Sequence, residues 1–499
     1  MYFLTRWIPV MFIQMVIGLN GYSQGSIGIF DGHSDIGEVI KRGSATYDAL
    51  KQQYEVSGAG YNIWGDHDEF HFVWKKIKGD FIVYTRARFV GQGVDPHRKL
   101  GWMARASLDG ASAHISAAVH GDGLTSLQYR RSRAAQTEEQ KSSLTHADVI
   151  QLERKGSDFI MRVAKFGEPF VVTTLQGLKL DEEIYVGLFV GSHNKDVIET
   201  GVFNDVRFIR PASDSLIENR GYAGSLLELL DVDTGKREIV LEEPNAIQAP
   251  NWTRDGKTLI YNKDGGLYNF DLETRKPTPL NTGDRIDINN AHALSFDGRQ
   301  IAFSSEVPSL GGSIIHGMSF EKGKPLIISP VGPSYVHGWS PDGKYVIYTA
   351  ERYGEYDIYK KPVNANAEIQ LTKVPGLDVG AEYSPDGKYI YFSSNRTGTM
   401  QIWRMNANGS NAVPVTKGDY HDWFPHVSPD GKRIVFLSYD KNEVAAHETP
   451  YYKNVYLRMM SPGRDQPVII AYVYGGQGTI NNASWSPDSN KIAFVSNSY

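Results

Sequence analysis

Six times between residues 252 and 490 the chain repeats one phrase: a hydrophobic residue, two further residues, Asp, usually Gly, then a basic or polar residue. The copies are Trp252-Thr-Arg-Asp255-Gly-Lys, Leu294-Ser-Phe-Asp297-Gly-Arg, Trp339-Ser-Pro-Asp342-Gly-Lys, Tyr383-Ser-Pro-Asp386-Gly-Lys, Val427-Ser-Pro-Asp430-Gly-Lys and Trp485-Ser-Pro-Asp488-Ser-Asn. Successive Asp residues lie 42, 45, 44, 44 and 58 positions apart. A period in the low forties with strand and turn chemistry inside each unit predicts a β-propeller.

Each unit reads as four strands. After Tyr383, the Ser-Pro-Asp-Gly turn leads into an aromatic and β-branched strand at 388–394. Asn395-Arg-Thr-Gly398 turns the chain into an alternating strand at 400–405, and 412–416 forms the outer edge, where Pro414 is tolerated. The sixth copy ends at Tyr499 with only two strands. Two unassigned strands, 225–231 and 237–241, precede the first copy and predict a sixth blade closed by N-terminal strands.

Ahead of the propeller, residues 26–212 alternate short β-rich runs with Gly/Asp turns, as in Phe70-His-Phe-Val-Trp74 and Glu183-Ile-Tyr-Val-Gly-Leu-Phe-Val190. No long helical pattern intervenes, so a two-sheet sandwich is expected and the chain is all-β. Met1–Ser23 reads as an export signal: Arg6 gives the positive start, Trp7–Leu19 an apolar core, and Gly21 and Ser23 a cleavage site. The domain reading is a signal peptide at 1–24, a sandwich at 25–212, a linker at 213–221 and a six-bladed propeller at 222–499. The apolar run is too short to span a membrane comfortably, so no transmembrane anchor is expected after cleavage. The sequence contains no Cys, which excludes a lipobox thiol, disulfides and thiolate metal sites. A net charge of −5 gives no field to recruit nucleic acid.

The repeat region resembles TolB-type propellers, whose WD-like repeat carries the Ser-Pro-Asp-Gly-Lys phrase. Such propellers serve in the Tol envelope system, in peptidases as substrate filters, and in oligogalacturonate lyases as the catalytic domain. The Tol protein proper has a smaller α/β domain where this chain has a β-rich one. The stretch from Gly58 to Trp74, Lys99–Ser107 and Val186-Gly-Leu-Phe-Val190 resemble concanavalin-like jelly-roll modules attached to secreted bacterial proteins, which implies glycan binding or a companion domain.

Four constellations are candidate sites. His292, His337 and His426 fall just before the repeat hydrophobe, where equivalent positions approach the channel; neutral imidazoles converging there would hold a divalent metal (Mn, Zn or Ca), as histidines do in the lyase propellers. Asp419-Tyr-His-Asp-Trp-Phe-Pro-His426 offers Tyr420 and Trp423 to stack on a sugar, with His421 and Asp422 as candidate catalytic groups. Trp64 lies beside Asp66, Asp68 and Glu69 on a glycan- or Ca²⁺-binding turn, although alternation assigns Phe70, Phe72 and Trp74 to packing. Arg130 and Arg131 follow a Gly-rich turn and would grip an acidic sugar.

There is no His-Glu-x-x-His or P-loop. The leading expectation is a non-catalytic exported binding protein, periplasmic or secreted, with a glycan or envelope partner. Two alternatives stand beside it: a metal-dependent polysaccharide lyase or glycoside-cleaving enzyme with its site on the propeller axis, and a Tol-type envelope scaffold.

Overall fold

The computed structural model describes residues 27–213, 216, 223–283, 287–461 and 466–498. The export signal at 1–24 and most of the 213–221 linker lie outside these residues. Two antiparallel seven-stranded sheets form the N-terminal half. The first runs Gly32–Ile36, Phe70–Lys78, Glu183–Gly191, Lys99–Arg105, His114–His120, Thr125–Arg130, Glu138–Lys141. The second runs Val171–Leu175, Asp158–Ala164, Val149–Lys155, Phe81–Phe89, Asn194–Ile209, Gln53–Gly60, Ser44–Asp48. They face each other across one core, with Leu100, Trp102, Ile115 and Leu127 from the first against Val83, Ile150, Met161 and Phe203 from the second. Period-two alternation sends the other side chains of the first sheet outward, where Phe70, Phe72 and Met103 form a smaller cluster with Ile63 and the half-buried Trp74.

The propeller has six blades. Five are four-stranded sheets whose inner strands are Ile247–Trp252, Ile288–Leu294, Ser334–Trp339, Asp378–Tyr383 and Tyr420–Val427, numbered here as blades 1 to 5. Blade 6 is composite. Its inner segment, 479–485, bonds to Lys491–Ser498 through the Val495 N–H to Thr479 and the Ala493 N–H to Ser484. Lys491–Ser498 then pairs with Gly224–Asp231, Leu227 opposite Val495, and Arg237–Glu243 forms the outer edge. Pairing the first and last strands of the propeller in one blade closes the ring and leaves only the short outer edges of the blades.

The repeated phrase is a closed hydrogen-bond cycle. In blade 3 the Ser340 hydroxyl donates to Asp342 Oδ1 at 2.6 Å and accepts from the Tyr345 N–H at 2.9 Å, while the Lys344 N–H donates to the same carboxylate at 3.1 Å. These bonds, with Lys344 beside it, hold the Asp342 carboxyl down to about 2. Gly343 takes φ +69, the left-handed region, which explains the Gly that follows Asp. In the sixth copy Ser489 adopts φ +63 at that position, and its hydroxyl accepts the Asp430 N–H of blade 5 at 3.1 Å.

Neighbouring blades are tied in the same phase. Trp339 Nε1 donates to the Ala293 carbonyl of blade 2 at 3.0 Å, and Trp485 Nε1 to that of His426 in blade 5 at 2.9 Å. The Val336 and Phe424 N–H groups each donate to a serine of the preceding blade, Ser304 and Ser393, at 2.9 Å.

The two halves are joined by an apolar and an ionic contact. Tyr456, Ile469 and Tyr472 of blade 5 pack on Tyr84, Val149 and Ala164 of the second sheet and on Phe170 in the loop before Val171–Leu175. Beside them Glu228, completely buried, accepts from Arg207 at 2.7 Å, Arg237 at 2.6 Å and Ser496 at 2.6 Å. Arg207 belongs to the sandwich and the other three to blade 6, so this cluster fixes the sandwich to the blade that closes the ring.

Candidate ligand channel on the propeller axis

Each of the five complete inner strands breaks register three residues or so before its turn, as between Trp423 and His426 or Val379 and Glu382. Such a bulge re-aims the side chains that follow it and pushes the strand start outward. Phe424 and Gly380 take positive φ at this point, 55° and 67°. A Cβ on Gly380 would come 2.9 Å from the Phe424 ring, so close blade contact requires Gly there.

The bulges divide the channel in two. At the turn end a small cavity of about 130 Å³ is lined by Trp252, Trp339, Trp485, Phe296 and the prolines of three repeat turns. At the other end the inner strands splay around a mouth of about 830 Å³. His337 lines both and marks the waist.

The wide mouth carries Asp264, Asp287 and Glu306, all exposed, with Tyr335, Tyr356 and Tyr451 around them and Trp423 in its wall. No lysine or arginine is among its described lining residues. Asn481 lines it too, 4% exposed, and its Oδ1 has no hydrogen-bond partner among the described residues. Near the waist the Oδ1 atoms of Asn251 and Asn482 are likewise unpartnered, while their amide nitrogens donate to the Ala483 and Asn290 carbonyls. The mouth thus sets carboxylates, with no described lysine or arginine to balance them, among neutral side chains that both donate and accept.

The three axial histidines do not act as a set. His426 Nδ1 lies 2.7 Å from Glu382 Oε2 and its Nε2 3.0 Å from the Ile480 carbonyl oxygen, so neither nitrogen offers a lone pair to a metal. His292 and His337 stand one residue earlier in their repeats than His426 does. His292 Nε2 and His337 Nδ1 have no protein partner among the described residues. Burial holds His292 down to about 4; burial and then the neighbouring His426 hold His337 down to about 3, leaving both neutral. Among the described residues no three His, Asp or Glu side chains converge as metal ligands, so the three-histidine divalent site expected from repeat phase does not fit this geometry.

The other candidates are also dispersed. Asp422 is buried inside blade 5, accepting from Ser438 at 2.7 Å and Arg458 at 3.1 Å; burial raises its carboxyl, with Arg458 opposing. His421 Nδ1 accepts the Met400 N–H at 3.2 Å. Neither lines either axial cavity: Asp422 bonds within blade 5 and His421 bonds the Met400 backbone of blade 4. Tyr420 packs on Tyr456 under the Arg458 guanidinium, and Trp423, only 2% exposed, is part of the blade 5 core as well as the mouth wall.

Arg130 is corrected outright. Its guanidinium is fully buried and grips Asp68 at 2.7 and 2.9 Å, together with the Gly65 and Ser112 carbonyls, so it cannot receive an acidic sugar. Arg131 is exposed and paired with Glu138 at 2.9 Å. The Asp68 that Arg130 holds closes a small hairpin, Ile63–Trp64 against His67–Asp68, across the outer face of the first sheet. Trp64 stands at its tip, 44% exposed.

In the mouth's acidic rim Asp264 and Glu306 share one repeat phase, each nine residues after its repeat Asp (Asp255 and Asp297), a recurrence outside the Asp-Gly phrase itself. His447, Thr449 and Tyr451 reach it from a loop after the second strand of blade 5. That loop accounts for part of the long last interval between Asp430 and Asp488, the one signal that pointed to it.

Residues 329–467 match the TolB β-propeller domain family. An uncharacterised protein of Agrobacterium fabrum is 40% identical over 276 residues, 55% of this chain and 93% of that protein. A solved Agrobacterium tumefaciens structure provisionally assigned to TolB superposes with a TM-score of 0.53 at 38% identity, covering 56% of this chain and 99% of the other. The Tol-Pal system protein TolB of Francisella tularensis is 28% identical over 161 residues, 30% of this chain and 37% of that protein. The chain belongs to the family of TolB-like β-propeller proteins.

Proposed function

We propose that this is an exported envelope protein whose propeller docks a partner protein at the wide mouth of its channel. The observation that carries the reading is that mouth: about 830 Å³, ringed by tyrosines and unpaired acceptors, and open at the end away from the repeat turns. Such a concave, partly aromatic surface suits an inserted loop or terminus of another protein. The likeness to Tol-Pal proteins and the signal-like N-terminus support an envelope partner and a periplasmic or secreted location. The sandwich, read as a concanavalin-like jelly roll, is then the companion domain that anchors the propeller through Glu228.

A photo-crosslinking residue placed at Tyr356 in the living cell tests this. An adduct with one envelope protein, absent when the same residue replaces Lys388 on the turn side, is the expected result. No adduct from the mouth sinks the reading.

A second reading, glycan binding by the sandwich, draws support from the exposed aromatics Trp64, on the hairpin, and Tyr61, just before it. A glycan array blank for the whole protein would remove it. The acidic mouth disfavours cleavage of an acidic polysaccharide, because like charges would oppose entry.

A further inference from the structure

The chemistry of the mouth also identifies the part of the partner it receives, an inference that rests on the docking reading above. Three exposed carboxylates, Asp264, Asp287 and Glu306, have no ion-pair partner among the described residues and no described lysine or arginine beside them in the mouth. Unbalanced negative charge in a concavity focuses field and attracts a cation. Independently, Asn481 Oδ1 is buried at the base of the mouth without a donor. An acceptor held in this way is satisfied only by a group that brings N–H or O–H. Tyr335 and Tyr356 add ring faces that favour a positive charge.

We propose that the mouth admits a lysine or arginine side chain from a basic segment of the partner protein. Its ammonium or guanidinium approaches the acidic rim and donates toward Asn481. An acidic or uncharged segment gains no attraction from the rim carboxylates and leaves them unopposed. Because the rim is solvent-exposed, the attraction weakens as salt shortens the screening length.

The test uses the full-length mature protein and the peptide acetyl-Gly-Lys-Arg-Lys-Gly-amide, titrated calorimetrically. Its lysine-acetylated, citrulline-containing counterpart, spermidine and an oligogalacturonate serve as the other arms. The expected result is binding of the basic peptide, at least about tenfold weaker in the Asp264→Asn/Asp287→Asn/Glu306→Gln variant and weaker again as salt rises. Neither the neutralised peptide nor the oligogalacturonate binds. Equal binding of the neutralised peptide, equal binding by the triple variant, or spermidine binding as tightly as the peptide overturns the inference. The Tyr356 crosslink, repeated in the triple variant, separates the two readings. An undiminished adduct there rejects the cationic segment and keeps docking, whereas no adduct even in the parent protein rejects docking itself.

Discussion

Glu382 Oε2 lies 2.7 Å from His426 Nδ1, so a carboxylate of blade 4 meets an imidazole of blade 5 beside the axis. The other ring nitrogen faces the Ile480 carbonyl of blade 6 at 3.0 Å. Both ring nitrogens are therefore taken up by contacts within the propeller. One side chain thereby links three blades. Glu382→Gln, which keeps shape and removes the charge, is expected to lower stability by about 1–3 kcal/mol. An unchanged urea midpoint would show that the contact contributes nothing.

How much of this was legible follows from the repeat. Trp339 and Trp485 recur in one phase because each indole reaches the preceding blade, and Leu227 finds Val495 because the last copy lacked two strands. The site was less legible for two reasons. Residue type grouped His426 with His337, although His426 and Glu382 share the phase one residue before the repeat hydrophobe and His337 stands two before it. Arg130 looked like a surface cation because its partner, Asp68, is 62 residues away on the covering hairpin.

The ion cluster at the domain junction has its own acid signature. Burial alone would raise the Glu228 carboxyl, but Arg207 and Arg237 overcome it and hold it down to about 2, against 4.5 ordinarily. The unfolded chain therefore binds this proton more readily than the folded one. The contribution is full above pH 4.5 and is lost as the pH falls toward about 2, amounting to about 3 kcal/mol. Glu228→Gln should lower stability at neutral pH by a similar amount and remove the corresponding slope below pH 4.5. A variant whose pH profile parallels the parent's contradicts this account.

Buried histidines act in a different window. Burial is the main cause holding His114, His120 and His292 down to about 4 and His337 to about 3, from an ordinary 6.5. Protons bind the unfolded chain first, so stability falls as the pH drops from about 6.5 to about 4. Each group accounts for up to about 3 kcal/mol over that range. His337→Gln, which keeps a polar side chain without a titrating ring, should flatten the decline between pH 6.5 and 4 by one proton's slope. It should leave untouched the slope below about pH 3, where Glu228 is still titrating and His337 no longer is. Thermal melts at half-unit pH steps distinguish the two.

The hairpin over the first sheet depends on one carboxylate. Asp68 is fully buried, with Arg130 at 2.7 Å and Arg105 and His114 at 3.5 Å. Asp68→Ala leaves two buried guanidiniums without their shared anion, a loss of about 3–5 kcal/mol where the cluster cannot rearrange. The Arg130 donors to Gly65 and Thr137 connect this cluster to the hairpin turn, so the turn should loosen first. Limited proteolysis should then cut near Arg131 or Trp64 in the variant while the propeller fragment stays intact. Global unfolding without a preceding local cut would instead mean that Asp68 supports the whole sandwich and not the hairpin alone.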